Sequence, residues 1–253
     1  KAKGDNPNEK PKEKPKDKPK KTPYYPVVEA WKHPVDLKDV LPEIIEMFDG
    51  YIVLPKYGST LLAFWGVGTH VMFNSFKRFP FLAITSPESE CGKSLVYDVL
   101  MSILEKPERT VSLTPAYYFR VTELFHPTWL VDEFDLAQSK EGANLLTQVL
   151  DAGHERNGYV GRVNKDGDPE RFGCYGPLAL ALIRNLKKAQ VRNRCLPLPM
   201  ERKLPTEHVP EWDEEDPEIA KKTLIIRQKI KRWAQDNAHK LKGFQPQFPA
   251  GLG

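Results

Sequence analysis

The sequence predicts an α/β fold on a mostly parallel sheet, preceded by a helical pair and followed by a helical segment. Three observations carry this. Continuous apolar runs at Phe81–Thr85, Thr128–Val131 and Leu178–Ile183 read as buried strands. Helical patterns separate them, and strands that alternate with helices form parallel sheets because each crossover covers a face. The first run leads through a polar turn, Ser86-Pro-Glu-Ser-Glu-Cys-Gly92, into Lys93-Ser94 and an amphipathic helix.

Residues 1–22 hold nine lysines against four acids, a balance of +5 that exceeds the net charge of +4 of the whole chain. The remaining 29 basic and 30 acidic residues nearly cancel, and charge balance alone does not make the body a nucleic-acid binder. The 1–22 segment repeats Lys and Pro at short intervals and buries too little apolar surface to order, so it reads as a disordered linker. Nonspecific contact with nucleic acid is its other reading. Order is expected from Tyr24. Asp36 is the N-cap of a helix with Leu37, Val40, Leu41, Ile44, Ile45 and Phe48 on one face, ending at Asp49-Gly50. Tyr51-Ile-Val-Leu-Pro55 is a short extended joint, and a more buried helix is expected around Thr60–Phe73.

The core is expected over residues 78–203, between an N-terminal helical segment at 23–77 and a C-terminal one at 204–253. After the first strand, Gly92–Glu105 is a helix with Leu95, Val96, Val99, Leu100, Ile103 and Leu104 inward. Thr110–Leu113 is a short strand. Thr114-Pro115 opens a helix that stops at His126-Pro127. Asn144–Leu150 lies on a further helix. Asp166-Gly167 marks a hairpin turn carrying Arg162, Lys165 and Arg171. Asp216-Pro217 caps a long helix to about Leu241. The last residues are loop-like, and the chain, which starts with Lys, is expected to be part of a longer protein.

The turn into Lys93 has the order that a nucleoside triphosphate needs. Backbone N–H groups of a loop and a helix N-terminus face phosphate, a lysine neutralises the β/γ oxygens, and a hydroxyl holds Mg²⁺. Ser89, Glu90, Cys91, Gly92, Lys93 and Ser94 are the binding candidates, Ser94 also for the metal. In the standard Walker A pattern the first position is glycine; here it is Pro87, which removes one N–H. The second strand ends in Asp132-Glu133, 39 residues past the lysine, as a Walker B element does. Asp132 is the Mg²⁺ candidate and Glu133 the residue that orients or deprotonates water; a solvated acidic turn is the bland alternative. Asn185, with Arg184 beside it, follows the third strand where a side chain can sense the γ-phosphate. Arg192 and Arg194 are candidates to stabilise transferring charge from a neighbouring subunit, against a surface basic cluster. His154 is read as polarising Glu133, contacting a partner, or packing in the core, and Arg156 follows it.

Three scattered cysteines form no metal or disulfide pattern and suit a reducing, cytoplasmic setting. Cys91 is either a reactive thiol at a helix N-terminus or a small residue fitting a tight turn. The longest uncharged stretch, Tyr57 to Phe76, is too rich in Gly, Ser, Thr, His and Asn to span a membrane, so no membrane partner is expected.

Ala83-Ile-Thr-Ser-Pro-Glu, Cys91-Gly-Lys-Ser94, Leu130-Val-Asp-Glu-Phe-Asp135, Asp151-Ala-Gly-His-Glu-Arg156 and Arg194-Cys-Leu together resemble a P-loop ATPase family of unknown function. It occurs in bacteria and on phages and other mobile elements, often attached to primase-type modules. The resemblance runs from about Val35 to Gly253. Its serine-proline loop matches Ser86-Pro87, so Pro87 looks like a family trait. More distantly, the family resembles hexameric viral helicases and AAA-plus ATPases. That implies a homo-oligomeric ring in which Arg194 reaches the next subunit's nucleotide. It also implies a hairpin gripping DNA, with Lys165 as the basic residue near its tip.

The expected function is an ATP-binding and ATP-hydrolysing, helicase-like motor domain of a mobile-element or phage replication protein, using Mg²⁺ and acting on DNA, single-stranded favoured. The alternative is a nucleotide-dependent assembly module that does not hydrolyse, which Pro87 favours. A small-molecule phosphotransferase is a second rival, without an evident acceptor motif.

Overall fold

The computed structural model describes residues 24–111, 113–132, 147–164, 166–183 and 189–245. Among them, five strands form one parallel sheet, β1 (Phe81–Ser86), β2 (Pro107–Thr110), β3 (Thr128–Val131), β6 (Leu178–Ile183) and β7 (Cys195–Pro199), in the order β2-β3-β6-β1-β7. β6 therefore lies between β1 and β3. β4 (Tyr159–Val163) and β5 (Pro169–Gly173) form a separate antiparallel hairpin.

Helices cover both faces, as a buried parallel sheet requires. α4 (Lys93–Met101) packs with Leu82, Ile84, Leu130, Ala179 and Ala181 in one core cluster, together with α1 (Leu37–Tyr51) and α2 (Gly58–Thr69). α5 (Pro115–Phe125) packs with Phe81, Ala83, Trp129, Val131 and Leu180 in the other. Alternate residues of β1, β3 and β6 thus feed opposite cores.

The helical pieces at the two ends of the chain pack together. α7 (Pro217–Leu241) buries Ile226 and Ile230 in the same core as α1, and Lys229 reaches Glu43 at 2.6 Å. α3 (Met72–Ser75) is tied to α7 by the Ser75 hydroxyl, which donates to the Ala238 carbonyl. Residues 24–31 cross the edge of the sheet: Tyr25 donates to Glu108 at 2.6 Å, and Lys231 donates to the Val28 carbonyl at 2.7 Å.

Several expectations hold closely. Asp36 and Asp216 cap α1 and α7 through their carboxylates, and Thr114-Pro115 opens α5. The hairpin turns at Asp166-Gly167, where the Asn164 side chain accepts from the N–H groups of Asp166 and Asp168. Others are corrected. α1 runs on to Tyr51, and the helix expected around Thr60–Phe73 is two pieces, broken at His70-Val71. α4 stops at Met101 rather than Glu105, where the Ser102 hydroxyl donates back to the Val99 carbonyl. β2 is Pro107–Thr110 rather than Thr110–Leu113, because pairing with β3 sets its register and an edge strand tolerates polar residues. β7 was not expected at all. Pro197 and Pro199 argue against a strand, yet among the described residues β7 pairs with β1 alone, and proline is tolerated at an edge. The linker at 1–22 and the last residues, 246–253, lie outside the described residues; of the helix expected over Asn144–Leu150, residues 147–152 are helical.

Ile230 is fully buried between α7 and the core, while Leu224 on the same helix is 49% exposed. Ile230→Ala should cost about 2–5 kcal/mol in denaturant unfolding, and Leu224→Ala should stay within about 0.5 kcal/mol.

Candidate functional site

Parallel strands put all their carboxyl ends at one edge of the sheet. The loop at 87–92 leaves β1 there, Asp132 follows β3 there, and the end of β6 lies between them. Ligands of open α/β sheets sit in the crevice outside such ends. A cavity of about 520 Å³ opens at this place, and Ser89, Glu90, Cys91, Gly92, Lys93, Ser94 and Asp132 all line it, with residues 181–183 of β6 as a further wall. The binding and metal candidates that are described therefore converge.

The loop is held by its own chemistry. The Ser86 hydroxyl donates to the Glu88 carbonyl at 2.5 Å. The Lys93 ammonium turns back across the loop, donating to Ser86 Oγ at 2.5 Å and to the Glu88 carbonyl at 3.4 Å. Glu90 and Gly92 take left-handed backbone angles, φ 61° and 78°. Gly92 is the N-cap of α4 with no side-chain cap, so the first-turn N–H groups keep their capacity to donate to a ligand. Cys91 is buried, with Sγ directed at the Ser89 carbonyl, which fits the tight-turn reading rather than the reactive one. Burial pushes the thiols of Cys174 and Cys195 up to about 11.

Ser94 Oγ lies 3.5 Å from Asp132 Oδ2, although 38 residues separate them in sequence. Asp132 is only 6% exposed and needs compensation, since an unpaired buried carboxylate is costly. Arg109 supplies it. Its Nη2 donates to Asp132 Oδ2 at 2.6 Å and its Nη1 donates to Asp98 Oδ1 on α4. Burial lowers the Arg109 pKa, but the Asp132 and Asp98 partners outweigh it and the net shift is upward. Beneath lies Tyr97, whose hydroxyl donates to the Val131 carbonyl; burial and then the Asp132 charge raise its pKa.

Two residues were missed by sequence reasoning. Arg109 is hidden because the expected strand, Thr110–Leu113, starts three residues too late; the Glu-Arg-Thr alternation after Pro107 is the available signal. Arg202, just past β7, pairs with Glu88 at 3.2 Å and Glu90 at 3.1 Å and neutralises the loop's own acids. No local pattern announces that contact.

Other candidates lie elsewhere. Arg194 precedes β7 at the amino edge of the sheet, where its carbonyl accepts from the Phe81 N–H. The whole of β1 separates it from its own loop at 87–92, so it cannot serve that loop within one chain. Its guanidinium binds the Leu150 and Asp151 carbonyls and the Asp151 carboxylate at 2.9–3.1 Å. Arg192 lies nearby on α6 (Ala189–Arg192). His154 packs edge-on to Phe81 at the same edge, and its carbonyl accepts from the Phe79 N–H, which fits its reading as a packed residue. Burial, then the nearby Arg194 charge, lowers its pKa. Arg156 ties three carbonyls at α3 (Met72, Phe73 and Phe76) and is structural.

The hairpin is also rooted at the amino edge, since β5 leads through 174–177 into the start of β6. Arg162 does not project freely: its guanidinium lies 4.9 Å over the Phe119 ring of α5. Arg171 lies 4.7 Å over the exposed ring of Tyr159 on the hairpin itself. Glu133, Asn185 and Arg184, and Lys165 lie outside the described residues.

No protein-family model matches the chain, and neither does any curated protein. No helix among the described residues is long and apolar enough to cross a membrane.

Gly92 has room for a side chain, since an added Cβ would meet only the Met200 methyl at 3.8 Å, but its backbone angle is left-handed. Gly161 has open space and no such angle. Gly92→Ala should therefore cost about 1–2 kcal/mol in equilibrium unfolding, while Gly161→Ala should be neutral or slightly stabilising.

Proposed function

We propose that this chain is an ATP-binding and ATP-hydrolysing motor domain that acts on DNA. The observation that carries it is the convergence of Lys93, Ser94 and Asp132 at an uncapped helix N-terminus after a buried parallel strand. That arrangement supports phosphate held by backbone N–H groups, a lysine and a metal.

The donor set fits Mg²⁺. It offers a hydroxyl and one carboxylate, and Mg²⁺ is commonly held by one or two carboxylates together with substrate phosphates and water. When bound, Mg²⁺ neutralises charge on the β/γ oxygens. Lys93 leaves Ser86 and Glu88 and turns to the phosphates. Ser94 and Asp132 hold the metal, and Glu133 orients or deprotonates the attacking water. Asn185 senses the γ-phosphate.

Arg194 enters from a second copy. Its place at the edge opposite its own loop supports this, because a head-to-tail ring brings the amino edge of one copy to the carboxyl edge of the next. The hairpin is the DNA contact, single strands favoured, through Lys165 and Arg171, with Arg162 bracing it on Phe119; Arg171 stacked on the exposed Tyr159 ring supports it, since cations and aromatic faces suit single-stranded nucleic acid. A role in replication of a phage or mobile element rests on the sequence resemblance. The second reading, a module that binds nucleotide only to assemble, is favoured by Pro87, which takes one N–H from the loop.

Steady-state ATP hydrolysis with Mg²⁺ tests this. Turnover should rise with single-stranded DNA, and that rise should weaken as salt increases. Lys93→Ala should lower turnover by about 10²-fold or more. Glu133→Gln should abolish turnover and retain ATP binding. Nucleotide binding by the wild type with no turnover would replace the motor reading with the assembly module.

A further inference from the structure

Arg109, bonded to Asp132 at the side of the cavity, has no part in the phosphate binding proposed above. Side chains of β2 alternate, so Glu108 turns to Tyr117 of α5 and Arg109 turns to α4. Arg109 is opposite Leu130 in register, and Asp132 is the next residue of that chain on the same face. The guanidinium fork spans two carboxylates, Asp98 and Asp132, and lies 5.6 Å from the centre of the Tyr97 ring. The oxygen of Asp132 that it takes, Oδ2, is the same one that faces Ser94 Oγ. A metal held between Ser94 and Asp132 and the Arg109 guanidinium compete for that oxygen.

We infer that Arg109 is a positioning residue for the metal-bearing carboxylate. Without nucleotide it covers the Ser94-facing oxygen of Asp132; when nucleotide and Mg²⁺ arrive it gives up that oxygen and stays on Asp98. The inference rests on reading Ser94 and Asp132 as the Mg²⁺ donors. Asp98 makes the exchange feasible, because a half-buried guanidinium that lost its only partner would be stranded. Arginine suits the task better than lysine, since its planar fork bonds two carboxylates at once. The consequence is linkage between metal and nucleotide. Free divalent cation faces a site already neutralised by Arg109, whereas the triphosphate brings enough negative charge to change the balance.

Mn²⁺ is the probe, its free concentration followed by electron paramagnetic resonance during titration of nucleotide-free protein. Arg109→Gln takes the guanidinium charge away from Asp98 and Asp132. It should bind Mn²⁺ about tenfold more tightly than wild type or better, and Asp132→Asn in that background should remove the gain. Arg109→Lys, which keeps the charge, should stay close to wild type. Equal, weaker or no Mn²⁺ binding by folded Arg109→Gln overturns the inference and leaves Arg109 as a brace. If Arg109→Gln does not fold, by circular dichroism and thermal melting, Asp98→Asn tests the exchange from the other side. It should raise the Mg²⁺ needed for half-maximal binding of a fluorescent ATP analogue by about tenfold, and an unchanged requirement overturns the inference. Wild-type binding of the same analogue is measured in parallel. Its absence, with the Mn²⁺ gain intact, would count against the nucleotide reading and not against the competition at Asp132.

Discussion

A carboxylate buried at the end of an apolar strand must find compensation, and the arrangement around Asp132 follows from that need. Asp132 is 6% exposed because Thr128–Val131 carries it out of the core and the layers on both sides close over it. Partners come from two other elements: Arg109 and the Thr110 carbonyl, which accepts from the Asp132 N–H, from β2, and Ser94 from the start of α4. Each contact constrains an element. The β2–β3 register has to put Arg109 opposite Leu130, two residues before Asp132, and α4 has to begin where its first turn meets the end of β3. The same requirement places Lys93 beside the loop and Asp98 beside Arg109, because both ride on α4.

The parallel sheet divides the molecule into two working edges. The carboxyl edge holds the loop at 87–92, Asp132 and the cavity. The amino edge holds Arg194, His154 and the root of the hairpin. On the proposed reading, nucleotide and DNA are handled at opposite edges of one chain. Coupling then runs either along the sheet or across copies, where the amino edge of one meets the carboxyl edge of another. Arg194 is already held by Asp151 and two carbonyls at the end of the 147–152 helix, so any reach to a neighbour starts from a fixed base.

Much of this was legible because local chemistry announced it. The caps Asp36, Thr114 and Asp216, the Asp166-Gly167 turn and the apolar runs of β1, β3 and β6 act through near neighbours, and those elements fall where expected. Lys93, Ser94 and Asp132 were legible because the spacing of strand, loop and helix leaves few other arrangements. What was hidden depends on partners far along the chain. β7 breaks the propensity rule at Pro197 and Pro199 and is a strand only because β1 offers it an edge. Arg109 and Arg202 acquire meaning only from the carboxylates they meet, 11 and 23 residues away for Arg109 and 112 away for Arg202 to Glu90. The packing of residues 24–31 along α7 is likewise a matter of tertiary fit.

The central claim is that the loop between β1 and α4 reads phosphate. Competition at equilibrium tests it directly: a fluorescent ATP analogue bound to the full chain with Mg²⁺ is displaced by inorganic triphosphate in one series and by adenosine in another. The account predicts that triphosphate displaces the analogue and adenosine does not, because Lys93, Ser94 and the helix N–H groups hold the phosphate end. Displacement by adenosine alone, or no binding of the analogue, would contradict it.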